Sequence, residues 1–305
     1  MAAKRQEVQI DGRTLSLSNL DKVLYPEAGF TKGHVIDYYT RVSPVLLGHL
    51  RGRPLTLKRY PNGVDAPHFY EKQCPSHRPA WVQTKEIPSN RARKGVIDFC
   101  LCEDLPTLVW LANLADLELH TSLALAEDYD SPTVIAFDLD PGPPATIVEC
   151  AEVALELRMI FEHLGMQAFP KTSGSKGMQV YVPLNTPSSY DVTRPFARGL
   201  AELLERRRAD LVVSDMKKSL RGGKVFVDWS QNTSFKTTVN VYSLRARPQP
   251  TVSTPLLWDE VEAVTESRDP DNLVFTAADV LERVAEHGDL FAPVIELRQT
   301  LPEAL

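Results

Sequence analysis

Asp138 and Asp140 stand two residues apart at the end of the apolar run Thr133-Val-Ile-Ala-Phe-Asp-Leu-Asp140, just before Pro141-Gly142. In a strand, alternate side chains share a face. Both carboxylates therefore point one way, while Phe137 and Leu139 point the other way into a core. Neighbouring carboxylates repel, and each is costly to desolvate. A hard divalent cation such as Mg²⁺ or Mn²⁺ removes both penalties and commonly shares such ligands with substrate phosphates. The bland alternative is a pair of solvated turn aspartates before Pro-Gly. Asp228 weighs against it, because it sits in a second apolar strand, Val225-Phe-Val-Asp-Trp229, where an isolated acid has no local reason to be. Three carboxylates on adjacent strands are a recurrent donor set for two-metal phosphoryl or nucleotidyl transfer.

A phosphate-bearing substrate would need a cradle. Thr172-Ser-Gly-Ser-Lys-Gly177 joins two strands, with glycines that let N–H groups converge, hydroxyls at Ser173 and Ser175, and the charge of Lys176. It is not a Walker A loop. Flexible hairpin loops share this composition, so its value comes from following the paired aspartates. Lys217, Lys218, Arg221 and Lys224 run up to Asp228, with Lys236 and Arg245 after it. Charge runs are usually solvated faces. Beside three carboxylates, they also suit a nucleotide's phosphates or a template backbone. A second basic zone, Lys58, Arg59, Lys72, Lys85, Arg91, Arg93 and Lys94, is interleaved with Phe69, Tyr70 and Trp81. Base stacking plus phosphate contact would need that mixture. His120, with Glu118 nearby, reads on its own as a core histidine.

The elements that must position these groups follow from periodicity. Strands are expected at Glu7–Ile10 and Thr14–Ser18 around Asp11-Gly12, and at Pro54–Tyr60. A helix starts after Thr31 and should end or bend at Pro44. The stretch from Cys74 to Lys94 reads as irregular, and Pro106–Ala115 as a buried helix. The strand ending at Asp140 leads to a helix over Thr146–Leu164, closed by Gly165. Strands near Gln167–Lys171 and Met178–Pro183 flank the Ser-Gly-Ser-Lys-Gly turn. A helix near Val192–Arg206 precedes strands at Lys224–Trp229 and Thr238–Leu244, and a peripheral helix at Ala277–His287 ends the series. This is a mixed α+β pattern with hairpin-like pairs.

Composition excludes other classes. The 305 residues are 43% hydrophobic and 24% charged, enough for a sizeable core, with a net charge of −6. A mildly acidic protein is not a general nucleic-acid coat, although a local basic groove is compatible with it. The longest apolar stretch, Leu105–Ala115, is too short to cross a bilayer, and no secretory signal opens the chain. Cys74, Cys100, Cys102 and Cys150 do not make a disulfide framework, and Cys100-Leu-Cys102 is too closely spaced for a zinc knuckle. Reduced, buried thiols in a soluble intracellular protein are expected.

Five segments together resemble a known family: LDKVLYPEAGFTKGHVIDYY at 20–39, HFYEKQCPSHRP at 68–79, FDLDPG at 137–142, KTSGSKGMQVYVPL at 171–184, and KVFVDWSQN at 224–232 continued by KTTVNVYSLRARP at 236–248. In order, from about residue 15 to 260, they are similar to the polymerase domain of bacterial ligase D. That domain belongs to the archaeo-eukaryotic primase superfamily, whose stand-alone members include the Prim-PolC type. The resemblance implies an α+β primase-polymerase catalytic domain with two mixed sheets flanking the active-site cleft and outer helices. It implies one domain over 1–305: a DNA-end-contacting subregion at 1–100, a catalytic core at 101–260, and a peripheral C-terminal helix and tail at 261–305.

The implied chemistry is templated addition of one or a few nucleotides, ribonucleotides by preference, to primer 3′ ends at short gaps or double-strand breaks. Asp138, Asp140 and Asp228 would bind two Mn²⁺ or Mg²⁺ ions. His120 would reach the nucleotide, against its bland reading. Ser173 and Lys176 would contact the triphosphate of an NTP or dNTP, with Lys58, Arg221, Gln231 and Arg245. Lys22 and Lys32 would hold the downstream 5′-phosphate, and Phe69 and Tyr70 would stack on template bases. The implied partners are gapped or broken duplex DNA with a 5′-phosphate, nucleoside triphosphates, and a separate DNA ligase or end-binding protein. No membrane partner is implied, and the setting would be the bacterial cytoplasm at the nucleoid. One departure stands out: family members usually carry a histidine where this chain has Gln179, which cannot be charged at neutral pH. Two other readings use the same residues. A metal-dependent nuclease would need the acids but no triphosphate cradle, and a non-catalytic end-bridging module would need only the basic and aromatic groups.

Overall fold

A computed structural model describes residues 5–90, 92 and 94–302; Arg91 and Arg93 of the basic zone lie outside the described residues. The chain divides into two compact units, the first formed by 1–122, 239–252 and 276–288, the second by 123–238, 253–275 and 289–305. The elements are α+β throughout.

The first unit opens with a hairpin of β1 (Arg5–Ile10) and β2 (Arg13–Ser18), turned at Asp11 and Gly12 with φ of 46° and 75°. Both positive angles are what a tight two-residue hairpin turn requires. A short pair, β3 (Val23–Tyr25) and β4 (Phe30–Thr31), leads to α1 (Lys32–Leu50), capped by the Thr31 hydroxyl. Pro44 lies inside α1 and does not end it, which removes the first of the two outcomes expected from the sequence. A proline lacks the N–H that would bond the Thr40 carbonyl, and the Ser43 hydroxyl donates to that carbonyl instead, at 2.8 Å.

The sheet of this unit contains β5 (Leu55–Arg59), β6 (Phe69–Glu71), β7 (Thr84–Pro88), β8 (Val96–Cys100) and β9 (Asp116–Thr121). β5 pairs with β9 on one side and with β6 and β8 on the other, and β8 pairs with β7. The β7–β8 hairpin falls partly in the stretch read as irregular, whose many charged and proline residues mask an exposed edge ladder. α2 (Leu105–Asn113) packs on α1, and Tyr39 of α1 donates to the Leu117 carbonyl at 2.6 Å. Cys74 and Cys100 form a disulfide, which corrects the expectation of reduced thiols. A backbone bond from Cys74 N–H to the Asp98 carbonyl, 2.7 Å, lays these distant segments side by side. Cys102 and Cys150 are buried free thiols, as read from the sequence.

The second unit contains β10 (Ala124–Leu125), β11 (Asp128–Pro132), β12 (Val134–Pro141), α3 (Ile147–His163), β13 (Phe169–Thr172), β14 (Met178–Pro183), α4 (Tyr190–Arg207), β15 (Val212–Val213) and β16 (Val225–Asp228). Its main sheet has the order β13-β14-β12-β16-β15, antiparallel except for the β15–β16 pair. Ile135, Phe137 and Leu139 of β12 are buried against α3 and α4, together with Phe161, Phe196 and Leu200. Truncating a buried phenylalanine such as Phe137 to alanine costs about 3–5 kcal/mol. α5 (Trp258–Ser267), which hydropathy did not single out, packs on α3. Beyond these, α6 (Ala277–His287) belongs to the first unit and α7 (Pro293–Glu296) to the second. The strand expected at Thr238–Leu244 shrinks to Thr238–Val239.

Candidate active site

Because β12 buries Phe137 and Leu139 under helices, its other face carries Asp138 and Asp140. Antiparallel pairing sets Asp228, the last residue of β16, directly opposite Asp138. Directly opposed side chains share a face, so the three aspartates project from one side of one sheet. The alternation read from the sequence holds. What the sequence did not supply is the row that register builds across four strands: Lys171 opposite Gln179, Gln179 opposite Asp138, Asp138 opposite Asp228.

Each aspartate is engaged. Asp138 accepts from Gln179 Nε2 at 3.0 Å. Asp228 accepts from the Ser230 N–H at 2.9 Å and from Gln231 Nε2 at 2.7 Å, while Lys236 Nζ lies 4.0 Å from it. Asp140 is the most exposed, with an Arg221 nitrogen 4.0 Å away. Burial and the neighbouring Asp140 push the Asp138 carboxyl up to about 7, with Asp228 adding to the rise. Asp140 is raised too, by burial and by Asp228. Among the described residues, no group of three or more His, Cys, Asp or Glu is drawn tightly enough to hold a metal as it stands. The donor chemistry nonetheless fits a hard cation. The carboxylates are oxygen ligands that are costly through burial and through mutual repulsion, and a cation relieves both.

The Ser-Gly-Ser-Lys-Gly turn is anchored to this site by sterics. A Cβ on Gly177 would stand 2.0 Å from the Leu139 carbonyl oxygen, so glycine lets the turn lie against the strand between Asp138 and Asp140. Ser173 is buried, and its hydroxyl accepts from the Ser175 and Gly177 N–H groups, both at 3.2 Å. It therefore shapes the turn, whereas Lys176 is exposed. On the opposite flank, Gly142 admits the Arg221 carbonyl where a Cβ would come within 1.8 Å. The Arg221 guanidinium lies over the Phe226 ring at 3.7 Å and donates to the Met216 carbonyl at 3.0 Å. Asn232, singled out by no sequence argument, bonds both backbone groups of Ala136, at 3.0 and 2.8 Å, and so braces β12.

In the first unit, Glu118 is a buried hub. It accepts from Lys58 Nζ at 3.0 Å and from His120 Nε2 at 3.0 Å, with Arg245 Nε at 3.4 Å and the Ala246 N–H at 3.1 Å. These partners hold its carboxyl well below the usual range despite burial. Burial lowers His120, against the opposing pull of Glu118, with Arg245 and Lys58 adding to the lowering. His120, Lys58 and Arg245 were each expected to contact the nucleotide; their shared anchor, Glu118, was noted in the sequence only as a neighbour of His120.

Lys22 is exposed and bonds Asn62 at 3.0 Å, while Lys32 is buried and bonds Ser18 at 3.2 Å. Burial and the Lys22 charge bring Lys32 down to about 8. Phe69 and Tyr70 are 54% and 52% exposed, far more than aromatic residues usually are.

The family model described as LigD, primase-polymerase domain, matches residues 31–291. The multifunctional non-homologous end joining protein LigD of Mycolicibacterium smegmatis is 43% identical over 280 residues, covering 91% of this chain and 36% of that protein. The bifunctional LigD of Bacillus subtilis is 32% identical over 275 residues, covering 90% of this chain and 43% of that protein. This chain thus spans about two fifths or less of the curated relatives it matches. A solved structure, the polymerase domain from Mycobacterium tuberculosis ligase D in complex with DNA, superposes with a TM-score of 0.85 at 39% identity. It covers 93% of this chain and 99% of that one. With the motifs, the fold and these matches in agreement, the chain belongs to the LigD primase-polymerase domain family.

Proposed function

We propose that this chain is a DNA-directed nucleotidyltransferase that adds one or a few templated nucleotides to primer 3′ ends at short gaps or broken ends, preferring ribonucleotides. The observation that carries this reading is the face shared by Asp138, Asp140 and Asp228, with the Gly177 turn lying against the strand between two of them. Asp138, Asp140 and Asp228 would hold two Mn²⁺ or Mg²⁺ ions, which when bound supply charge to the triphosphate and acidify the attacking hydroxyl. Lys176, Arg221 and Gln231 are proposed to orient an NTP or dNTP, and Ser173 to shape the turn that presents it. For His120, Lys58 and Arg245 the proposal is likewise nucleotide contact. Its support is the cationic surplus that two basic groups leave around the single charge of Glu118.

Lys22 and Lys32 are proposed to bind a downstream 5′-phosphate. Two ammonium groups close enough to lower one of them gain from an anion. Phe69 and Tyr70 are proposed to stack on template bases, supported by their exposure. A DNA ligase would then seal the product, either as a separate protein or as a linked module. The test is a labelled primer on a gapped duplex with a downstream 5′-phosphate, supplied with Mn²⁺ or Mg²⁺ and either ribo- or deoxyribonucleotides. Templated addition that disappears in Asp138→Ala is the expected result. No addition, with tight 5′-phosphate-dependent DNA binding, would reject the polymerase reading in favour of end bridging.

A further inference from the structure

Lys171 is fully buried on β13. Its ammonium donates to Gln179 Oε1 at 2.6 Å and to Ser253 Oγ at 2.7 Å, and lies 5.3 Å from the Tyr181 ring centroid. A lysine ammonium can only donate. Gln179 must therefore turn its oxygen toward Lys171, which leaves its NH₂ group facing Asp138 Oδ1 at 3.0 Å. A flipped amide would set a carbonyl oxygen against a carboxylate, two acceptors with no proton between them. A histidine at this position would need no such help, because a neutral imidazole takes whichever tautomer places its N–H toward the carboxylate. A primary amide depends on an outside donor to choose its orientation.

We propose that Lys171 is a positioning residue for the aspartate centre: it locks the Gln179 amide so that the amide donates to Asp138 and leaves the other Asp138 oxygen turned to a divalent cation. The proposal rests on the metal-binding reading of the three aspartates and explains how this chain uses glutamine there. By charge alone, a buried cation so near the aspartates weakens metal binding. Removing Lys171 therefore separates the two roles by sign. Simple electrostatics gives tighter Mn²⁺ binding, and loss of the lock gives weaker binding.

The test is Mn²⁺ binding to the whole protein without DNA or nucleotide, followed by loss of the free-ion electron paramagnetic resonance signal. Lys171→Met and Gln179→Leu are each expected to weaken binding about tenfold, the scale of groups that orient metal ligands. The double variant should lose no more than the weaker single, because the two act as one unit. In a Gln179→His background, Lys171→Met should cost no affinity. Unchanged or tighter Mn²⁺ binding by Lys171→Met overturns the proposal, as does a double variant whose loss is the product of the singles. Gln179→Leu keeps the Lys171–Ser253 bond and guards against misfolding. If Lys171→Met does not fold, unchanged affinity in Gln179→Leu still overturns the proposal, and a tenfold loss supports it. A parent protein that behaves as expected toward Mn²⁺ yet adds no nucleotide rejects the polymerase reading alone; one that binds no Mn²⁺ rejects this proposal.

Discussion

Asp138 and Asp228 are register partners on antiparallel strands, with their carboxylates on the side of the sheet that the helices leave free. The pair is poorly solvated and like-charged, and it is relieved in part by bonds from Gln179, Ser230 and Gln231 and by Lys236 Nζ at 4.0 Å from Asp228. Such an arrangement costs stability and is retained where a cation and a phosphate chemistry use it.

Asp138→Asn and Asp228→Asn should each lower templated addition by at least ~10²-fold, the scale of losing an electrostatic contact to the transition state. The metal-free Asp138→Asn protein should melt higher than the parent at pH 8. The folded carboxyl titrates at about 7, above its ordinary 3.8, so its ionised form costs stability at every pH above 7 and none below the ordinary value. Calorimetric melting without metal decides the matter: a lower melting temperature would show that the ionised Asp138 is not under strain.

Gly177→Ala should destabilise by about 1–3 kcal/mol or more, because the added methyl meets backbone rather than a movable side chain. Urea unfolding of both proteins measures this directly. A neutral substitution would mean that the turn does not lie against Leu139.

Preference for 5′-phosphorylated over unphosphorylated gaps should fall as pH rises through about 8, where the Lys32 ammonium is lost, well before ordinary lysines titrate. The folded value is depressed, so the charged form is the one that burial disfavours. Stability should therefore gain slightly over the same range while phosphate binding weakens. Binding of paired oligonucleotides across that range tests it, and a preference that persists unchanged would remove Lys32 from the phosphate site.

Phe69→Ala and Tyr70→Ala should each weaken binding to gapped DNA by about 1–3 kcal/mol, the usual worth of base–aromatic stacking. Both side chains are more than half exposed, so melting temperatures should stay near the parent's. Equal DNA affinity would show that these rings do not touch bases.

Glu118→Gln should cost about 3–5 kcal/mol, because it leaves Lys58 and Arg245 without their buried counter-charge. The Glu118 carboxyl is held well below its ordinary 4.5. Its contribution is thus present above that value and lost as pH falls below it. Denaturant midpoints at neutral and acid pH should converge for parent and variant; a constant gap would refute the assignment.

Local pattern was enough to read much of this protein. Alternation in Val134–Pro141 placed Asp138 and Asp140 on one face, since a strand's side-chain period is two whatever surrounds it. The Asp11-Gly12 turn, the Gly165 stop and the helices opening at Thr31 and Thr146 were legible for the same reason: caps and tight turns are written in adjacent residues. Joint motifs added the family. What lay beyond reach depends on pairs far apart in the chain. A local exception is Pro44, where the sequence left an end or a bend open, because the Ser43 hydroxyl on the Thr40 carbonyl is a side-chain geometry and not a propensity. The Cys74–Cys100 bond needed a backbone contact between separate segments. Lys171 passed unnoticed because a lysine in a strand looks like any exposed edge charge. Only sheet register sets it opposite Gln179 and Gln179 opposite Asp138. Sequence fixes which face a side chain takes within its own strand, but long-range pairing decides which side chain it meets, and in this protein that pairing assembles the aspartate centre.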